Sequence, residues 1–256
     1  MKKYYYFIAL CTMFYFMFFV YESTSADKGR RYYEELGHIL WEINTEKKVI
    51  ALTFDDGPHR KYTPEILDLL AEYDAEATFF VVGENAEKNP KVVSRMYEEG
   101  HELAIHTYTH PLKANVPNVL KEIRQTHETI YGISGFSPTL FRPVEGRYTD
   151  ELIDAVVKEG YKVVMWSWHM DTLDWKNPGV NKIVDIVLKG TKPGNVVLFH
   201  DGGGNREQTV KALEKILPEL VKKGYRFVTI SELLELQKMD NDEKQREEIR
   251  KNLGDN

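Results

Sequence analysis

Cysteine is nearly absent: the 256 residues contain one, Cys11. No intramolecular disulfide can form, and the rest of the chain carries no thiol chemistry. That is compatible with export without demonstrating it. Positive charge is not in excess either, since the formal net charge is −6. Without a basic footprint, nucleic acid is not an expected partner. No internal repeat is found, which argues against a solenoid or a repeat array.

One long uncharged run stands at the N-terminus. Lys2-Lys3 precede Tyr4 to Tyr21, rich in Phe, Tyr and Met, and Ser23-Thr24-Ser25-Ala26 follow. A basic n-region, an apolar h-region and small residues describe a signal peptide over 1–26. The same run is just long enough to be an uncleaved membrane anchor. Either way an exported protein at the cell surface or outside the cell is expected, touching a membrane if the leader is kept. Cys11 lies inside this run behind the bulky Leu10, so a lipoprotein site is not expected.

The remainder reads as one catalytic domain. At 42% hydrophobic content the chain can bury one sizeable core. Residues 27–45 read as a spacer or short amphipathic helix, on Tyr32, Tyr33, Leu36, Ile39 and Leu40. From Lys48 onward strand-like and helix-like segments alternate. Strands are predicted over 48–54, 77–82, 102–105, 139–142, 162–168, 195–199 and 226–229. Helices are predicted over 63–73, 89–99, 116–130, 149–159, 179–190 and 207–223. Thr63-Pro64 and Asn89-Pro90 read as N-cap and N1 proline, while Gly100, Gly160 and Gly224 follow helix ends. Such alternation predicts a parallel sheet wrapped by helices, a barrel of seven strands within 46–237. Residues 238–256 are charged and poor in apolar side chains, a solvated helix or a disordered tail.

The chemistry gathers at predicted strand ends. Val49-Ile50-Ala51-Leu52 runs into Thr53-Phe54-Asp55-Asp56-Gly57-Pro58, and Glu102-Leu103-Ala104-Ile105 runs into His106-Thr107-Tyr108-Thr109-His110. Alone, the Asp pair reads as a turn or cap and the His pair as a solvated helix face. Together they suit a divalent metal: two imidazoles four apart on a helical turn reach one ion, and one Asp completes the set. Zinc is the default for such ligands, and cobalt, nickel or another divalent ion fits them as well. In a parallel barrel the C-terminal strand ends carry the chemistry.

These stretches resemble the polysaccharide deacetylase family, whose shared region is the NodB homology domain of carbohydrate esterase family 4. Three further matches follow in order: Arg142-Pro143-Val144-Glu145-Gly146, Asp171-Thr172-Leu173-Asp174-Trp175 and Leu198-Phe199-His200. The resemblance spans roughly 45–237, and five ordered motifs are far more specific than any one. It implies a distorted (β/α) barrel of seven to eight strands and removal of acetyl groups from N-acetylhexosamines. It assigns Asp56, His106 and His110 to the metal and Asp55 to the general base. Arg142 then pairs with that base, and the Glu145 N–H stabilises the oxyanion. His200 becomes the general acid. Asp174, or Asp171 three residues earlier, orients it, with the resemblance favouring Asp174. Trp175 and Leu198 line the acetyl pocket, and Tyr108 and Pro143 complete the set expected at substrate.

Other residues are weighed down. His101 reads as structural, His38 and His127 as surface, and Trp166 and Trp168 as core. His59 and His169 stay open. The third motif departs from the family pattern, which has a second proline at 144 and an aromatic or basic residue at 145. Glu145 could compete with Asp55 for Arg142, or point to solvent. The leading expectation is a metal-dependent N-deacetylase of a cell-wall glycan, peptidoglycan before chitin oligomers, working as a monomer. The alternatives are a glycan-binding protein that keeps the fold with little or no turnover, favoured by Val144 and Glu145, and a glycosidase. A glycosidase would leave the histidine pair without a task.

Overall fold

The computed structural model describes residues 28–254, with side chains to Lys251. The predicted leader and Cys11 lie outside them. Among the described residues no helix is long and apolar enough to cross a membrane.

The centre of the sheet is β2 (Val49–Asp55), in which every residue is buried. It pairs in parallel with β3 (Ala77–Val81) on one side and β7 (Val196–His200) on the other. The sheet continues from β3 through β4 (Glu102–Ile105), β5 (Leu140–Phe141) and β6 (Lys162–Val164) to β1 (Ile39–Leu40), all parallel. A short β8 (Arg226–Phe227) adds to the N-terminal half of β2. Seven strands on one path plus β8 match the expected barrel.

β1 was not foreseen. The stretch 27–45 does hold a short helix, α1 (Arg30–Glu35), but it also supplies this strand. Tyr33, Ile39, Leu40, Trp41 and Ile43 are all buried. β1 closes the ring by wedging between the N-terminal ends of β6 and β7. The Met165 N–H donates to the Leu40 carbonyl, and the Ile43 N–H to that of Gly194. Beyond the wedge, chain following β6 reaches β7 directly, through Ser167 N–H to Val196 and Thr172 N–H to Leu198.

Strand parity sorts the side chains, because successive residues point to opposite faces. Ile50, Leu52 and Phe54 face outward into a core shared with Ile66 and Leu67 of α2 (Tyr62–Glu72) and Leu213 and Leu217 of α8 (Glu207–Lys222). Val49 and Ala51 face the barrel interior with Phe80, Ala104, Leu140, Val164 and Val196. Counting by twos from these inner residues leads to Asp55, His106, Arg142 and His200. The same alternation that builds the core therefore delivers the polar groups to one mouth. The opposite end is plugged by Val228 with Ile230 and Leu233 of α9 (Ile230–Gly254). There the buried Glu102 accepts from the Ser231 N–H at 3.0 Å and the Thr78 hydroxyl at 3.0 Å, docking that helix.

The helices mostly obey their sequence punctuation. α4 (Pro90–Glu98) starts at Pro90, and α5 (Val116–Ser134) is capped by Asn115, whose side chain accepts from the Asn118 N–H at 3.0 Å. Thr149 caps α6 (Asp150–Lys158) in the same way, and α7 spans Val180–Gly190. Gly100, Gly160 and Gly224 adopt positive φ after helix ends, where a side chain would be strained. Two details differ. A further helix, α3 (Gly83–Lys88), precedes α4. Thr63 is not a cap but sits inside α2, its hydroxyl hydrogen-bonded to Asp201 and accepting from the His59 N–H. The predicted strand 162–168 stops at Val164, and Trp168 is 68% exposed rather than core. The charged C-terminal stretch takes the helical alternative, as the outer turns of α9.

Candidate functional site

At the C-terminal mouth lies a cavity of about 460 Å³, lined by groups from all five motifs and by the loop after β7. A cleft of about 520 Å³ runs beside β1, away from the motif residues. Asp55 is the last residue of β2 and stands opposite His200 in the register with β7. Its Oδ1 accepts from Arg142 Nη1 at 2.6 Å. Arg142 is wholly buried and spends its remaining donors on the Thr53 hydroxyl and the Val164 and Met165 carbonyls. Burial pushes the guanidinium down, and the Asp55 charge opposes that. A fork held by four hydrogen bonds is fixed against its carboxylate.

Asp56 follows Asp55 with φ 72°, a left-handed turn that separates the two carboxylates. Its Oδ1 lies 3.1 Å from His110 Nε2 and 3.5 Å from His106 Nε2. The ligand atoms of these three residues lie within 4.8 Å of one another. The two imidazoles do not share a helical turn, as the spacing suggested. Residues 106–110 form a loop with left-handed φ at Thr107 and His110. Glu122 of α5 straps that loop by accepting from the Tyr108 N–H, the Thr109 N–H and the Thr109 hydroxyl.

The donor chemistry suits a divalent metal. His106 Nδ1 is 2.8 Å from the Arg142 carbonyl, which can only accept. The proton is therefore on Nδ1, and Nε2 presents a lone pair toward Asp56. Burial also lowers the His106 pKa, favouring the neutral ring. For Asp56 burial acts upward, but the hydrogen bond from His110 and the neighbouring imidazolium charges outweigh it and hold the carboxyl well below its usual range. The His110 pKa is raised, chiefly by that same hydrogen bond.

Across the cavity, His200 Nδ1 lies 2.7 Å from Asp174 Oδ1. The other Asp174 oxygen accepts from the His200 N–H at 2.9 Å and from the Thr209 hydroxyl at 2.7 Å. Burial alone would lower the imidazole, yet the Asp174 hydrogen bond and charge push it up to about 9. Of the two expected orienting carboxylates, Asp174 makes this contact. Asp171 does not: it accepts from the Leu173 N–H at 3.0 Å and lines the cavity, its carboxyl pushed up by burial.

Leu198 and Trp175 line the cavity, and so does Trp166. Glu145 stands at its rim with φ 55°, its carboxylate 2.9 Å from Arg147 and not turned to Arg142. Among the described residues its N–H takes no partner, while those of Gly146 and Arg147 turn back to Pro143 and Val144. Tyr108 and Pro143 are not at the cavity. The left-handed Thr107 throws the Tyr108 ring against Gly83, where a Cβ would lie 2.2 Å from it. Pro143 faces a neighbouring apolar cleft with Val144 and Leu152. His101 is structural, accepting from the Ala77 N–H. Half-buried His127 pairs with Tyr161, and His169 with Asn195 and the Gly190 carbonyl. His59 stacks on Tyr62 outside the cavity wall.

Sequence reasoning missed Thr53, Glu122, Thr209 and Arg206. The first three act through another residue, and only the fold brings them within reach. Arg206 had a signal, a cation placed between a glycine-rich loop and a helix.

A model of the polysaccharide deacetylase family matches residues 42–164. A peptidoglycan N-acetylglucosamine deacetylase of Bacillus cereus is 47% identical over 210 residues, spanning 80% of this chain and 97% of the relative. A peptidoglycan N-acetylmuramic acid deacetylase of Bacillus subtilis is 38% identical over 198 residues, 77% of this chain and 41% of the relative. A crystal structure of a peptidoglycan N-acetylglucosamine deacetylase superposes with a TM-score of 0.75 at 38% identity, covering 78% of this chain and 94% of that one. With the barrel, the mouth and the length of these likenesses in agreement, the chain belongs to the polysaccharide deacetylase family.

Proposed function

We propose that this enzyme removes acetyl groups from N-acetylhexosamine units of peptidoglycan, outside the cytoplasm, with a zinc ion held by Asp56, His106 and His110. The reading rests on one observation. A carboxylate fixed by a buried arginine and an imidazole fixed by a buried carboxylate flank one cavity, with the Asp-His-His cluster between them. A divalent cation there supplies Lewis-acid polarisation of the acetyl carbonyl and acidifies a water.

The rest is done by side chains. Asp55, held by Arg142, takes the proton of the attacking water. The developing negative charge on the acetyl oxygen is met by the Glu145 N–H, which has no other partner among the described residues. His200, protonated below about pH 9, gives its proton to the departing amine. Leu198 and Trp175 bound a partly apolar space suited to a methyl group. Relatives that act on peptidoglycan support the substrate, and the N-terminal run after Lys2-Lys3 supports export. The binding-only alternative was favoured by Val144 and Glu145; of these, the Glu145 carboxylate is turned to Arg147 rather than to Arg142.

The test is acetate release from peptidoglycan and from chitin oligomers by wild type, by metal-stripped protein and by protein reloaded with zinc or cobalt. Release that vanishes on stripping and returns on reloading is expected. No acetate from either polymer, in protein that binds one metal per chain, would overturn the enzymatic reading in favour of binding.

A further inference from the structure

One charged group at the mouth has no task in the chemistry above. Arg206, the residue before α8, is only 4% exposed, yet it lines the catalytic cavity. Its Nε donates to the Gly202 carbonyl at 2.6 Å. Among the described residues its two Nη groups donate to nothing, and no carboxylate pairs with it. Arg142 makes the contrast, since every nitrogen of its guanidinium is satisfied. The Arg206 Nη groups are not buried without a partner but open on the cavity, where a ligand can take both.

The glycine loop aims it. Gly203 has φ 70°, and a Cβ there would sit 2.5 Å from Asp56 Oδ2 and 3.3 Å from Arg206 Nη2. A bare backbone at this point lets the metal-ligand carboxylate and the guanidinium flank one space. Positive charge gathers outside the cavity wall nearby, where the exposed Arg60 and Lys61 act with Arg206 on His59. A planar fork prefers a carboxylate, which accepts two parallel hydrogen bonds, over a sugar hydroxyl.

We propose that Arg206 is a specificity-determining residue that binds a carboxylate carried by the glycan next to the unit being deacetylated. The inference rests on the functional reading above. Two sources share this chemistry: the lactyl carboxylate of a peptide-free muramyl residue, and the acetate released by the reaction.

Arg206→Gln and Arg206→Lys are compared with wild type on peptide-free peptidoglycan strands, on neutral N-acetylglucosamine oligomers, and for inhibition by added acetate. With Gln, KM on the carboxylate-bearing strands should rise about tenfold more than KM on the neutral oligomers, as loss of a charge-assisted pair predicts. Lys should recover part of that, keeping charge without the fork. Bound metal per chain should not change. An equal loss on both substrates would overturn the proposal and leave Arg206 as a brace for Gly202. So would unchanged KM on the strands, or an effect confined to acetate inhibition. If wild type releases acetate from neither substrate, the functional reading fails by itself. Arg206 is then judged on calorimetric binding of the strands, where Gln must weaken affinity about tenfold for the proposal to stand.

Discussion

Asp174→Asn isolates what sets the charge of His200. The substitution keeps the side-chain shape in a site that is 1% exposed, and it removes the negative charge 2.7 Å from the imidazole. In the native protein that charge outweighs burial and pushes His200 up to about 9. Without it, burial is opposed only by the lesser charges of Asp55 and Asp56, and the pKa falls toward the ordinary 6.5. A fall of about 2.5 units corresponds to about 3 kcal/mol. At pH 8 the protonated fraction drops from about nine-tenths to about 3%, so kcat/KM should fall about 30-fold there and much less at pH 6. The assay is the pH profile of acetate release, whose alkaline limb should move from near 9 toward 6.5. Thermal unfolding supplies a second readout. A folded pKa above the unfolded 6.5 contributes stability that is fully present below pH 6.5 and is lost as pH rises through 9. The wild-type advantage in Tm should therefore be largest near pH 6 and shrink toward pH 9. An alkaline limb that stays near 9 in a folded variant would refute the reasoning, because something other than Asp174 would then be charging the imidazole.

Asp55→Asn should cut acetate release by at least about 100-fold while leaving bound metal unchanged. It should also lower stability by about 3 kcal/mol or more, since the buried Arg142 loses its counter-charge. A rate within tenfold of wild type would remove Asp55 from the base role. A chain begun at Glu46 loses Ile39, Leu40, Trp41 and Ile43 from the core, each worth about 1.5–3 kcal/mol. Differential scanning calorimetry should place its Tm about 10 °C or more below that of a chain begun at Lys28, if it folds at all. Equal melting would mean that β1 is dispensable. Asp201 is fully buried with its Oδ1 unpaired, and burial pushes its carboxyl up to about 7. A folded pKa above the unfolded value costs stability increasingly as pH rises from about 4 through 7. Asp201→Asn should therefore raise Tm at pH 8, with the gain fading toward pH 4. A lower Tm at pH 8 would contradict this.

Much of the barrel was legible because its signals are local. A seven-residue apolar strand stopped by Gly57-Pro58, glycines with positive φ after helices, and prolines at helix starts need no partner to be read. Parity along a strand is local too, so Asp55, Arg142 and His200 could be placed at the mouth from the chain alone. β1 could not, because two residues carry no period and its place is set by the gap between β6 and β7. β6 was drawn too long for a related reason. The apolar residues after Val164 serve the cavity and the closure, and hydropathy does not distinguish those duties from a strand.

The sequence by itself determined the residue types, their order, and the strand ends on which the ligands and proton carriers stand. The tertiary structure decided which of them meet. Left-handed turns at Asp56, Thr107 and His110 converge the metal ligands where a helical turn was expected, and the Thr107 turn sends Tyr108 outward. The approach of the loop after β6 to β7 and the first turn of α8 selects Asp174 over Asp171. Such choices depend on angles of a few residues and on chains far apart in sequence. Hydropathy and spacing describe one chain segment at a time, whereas a site is a relation among several.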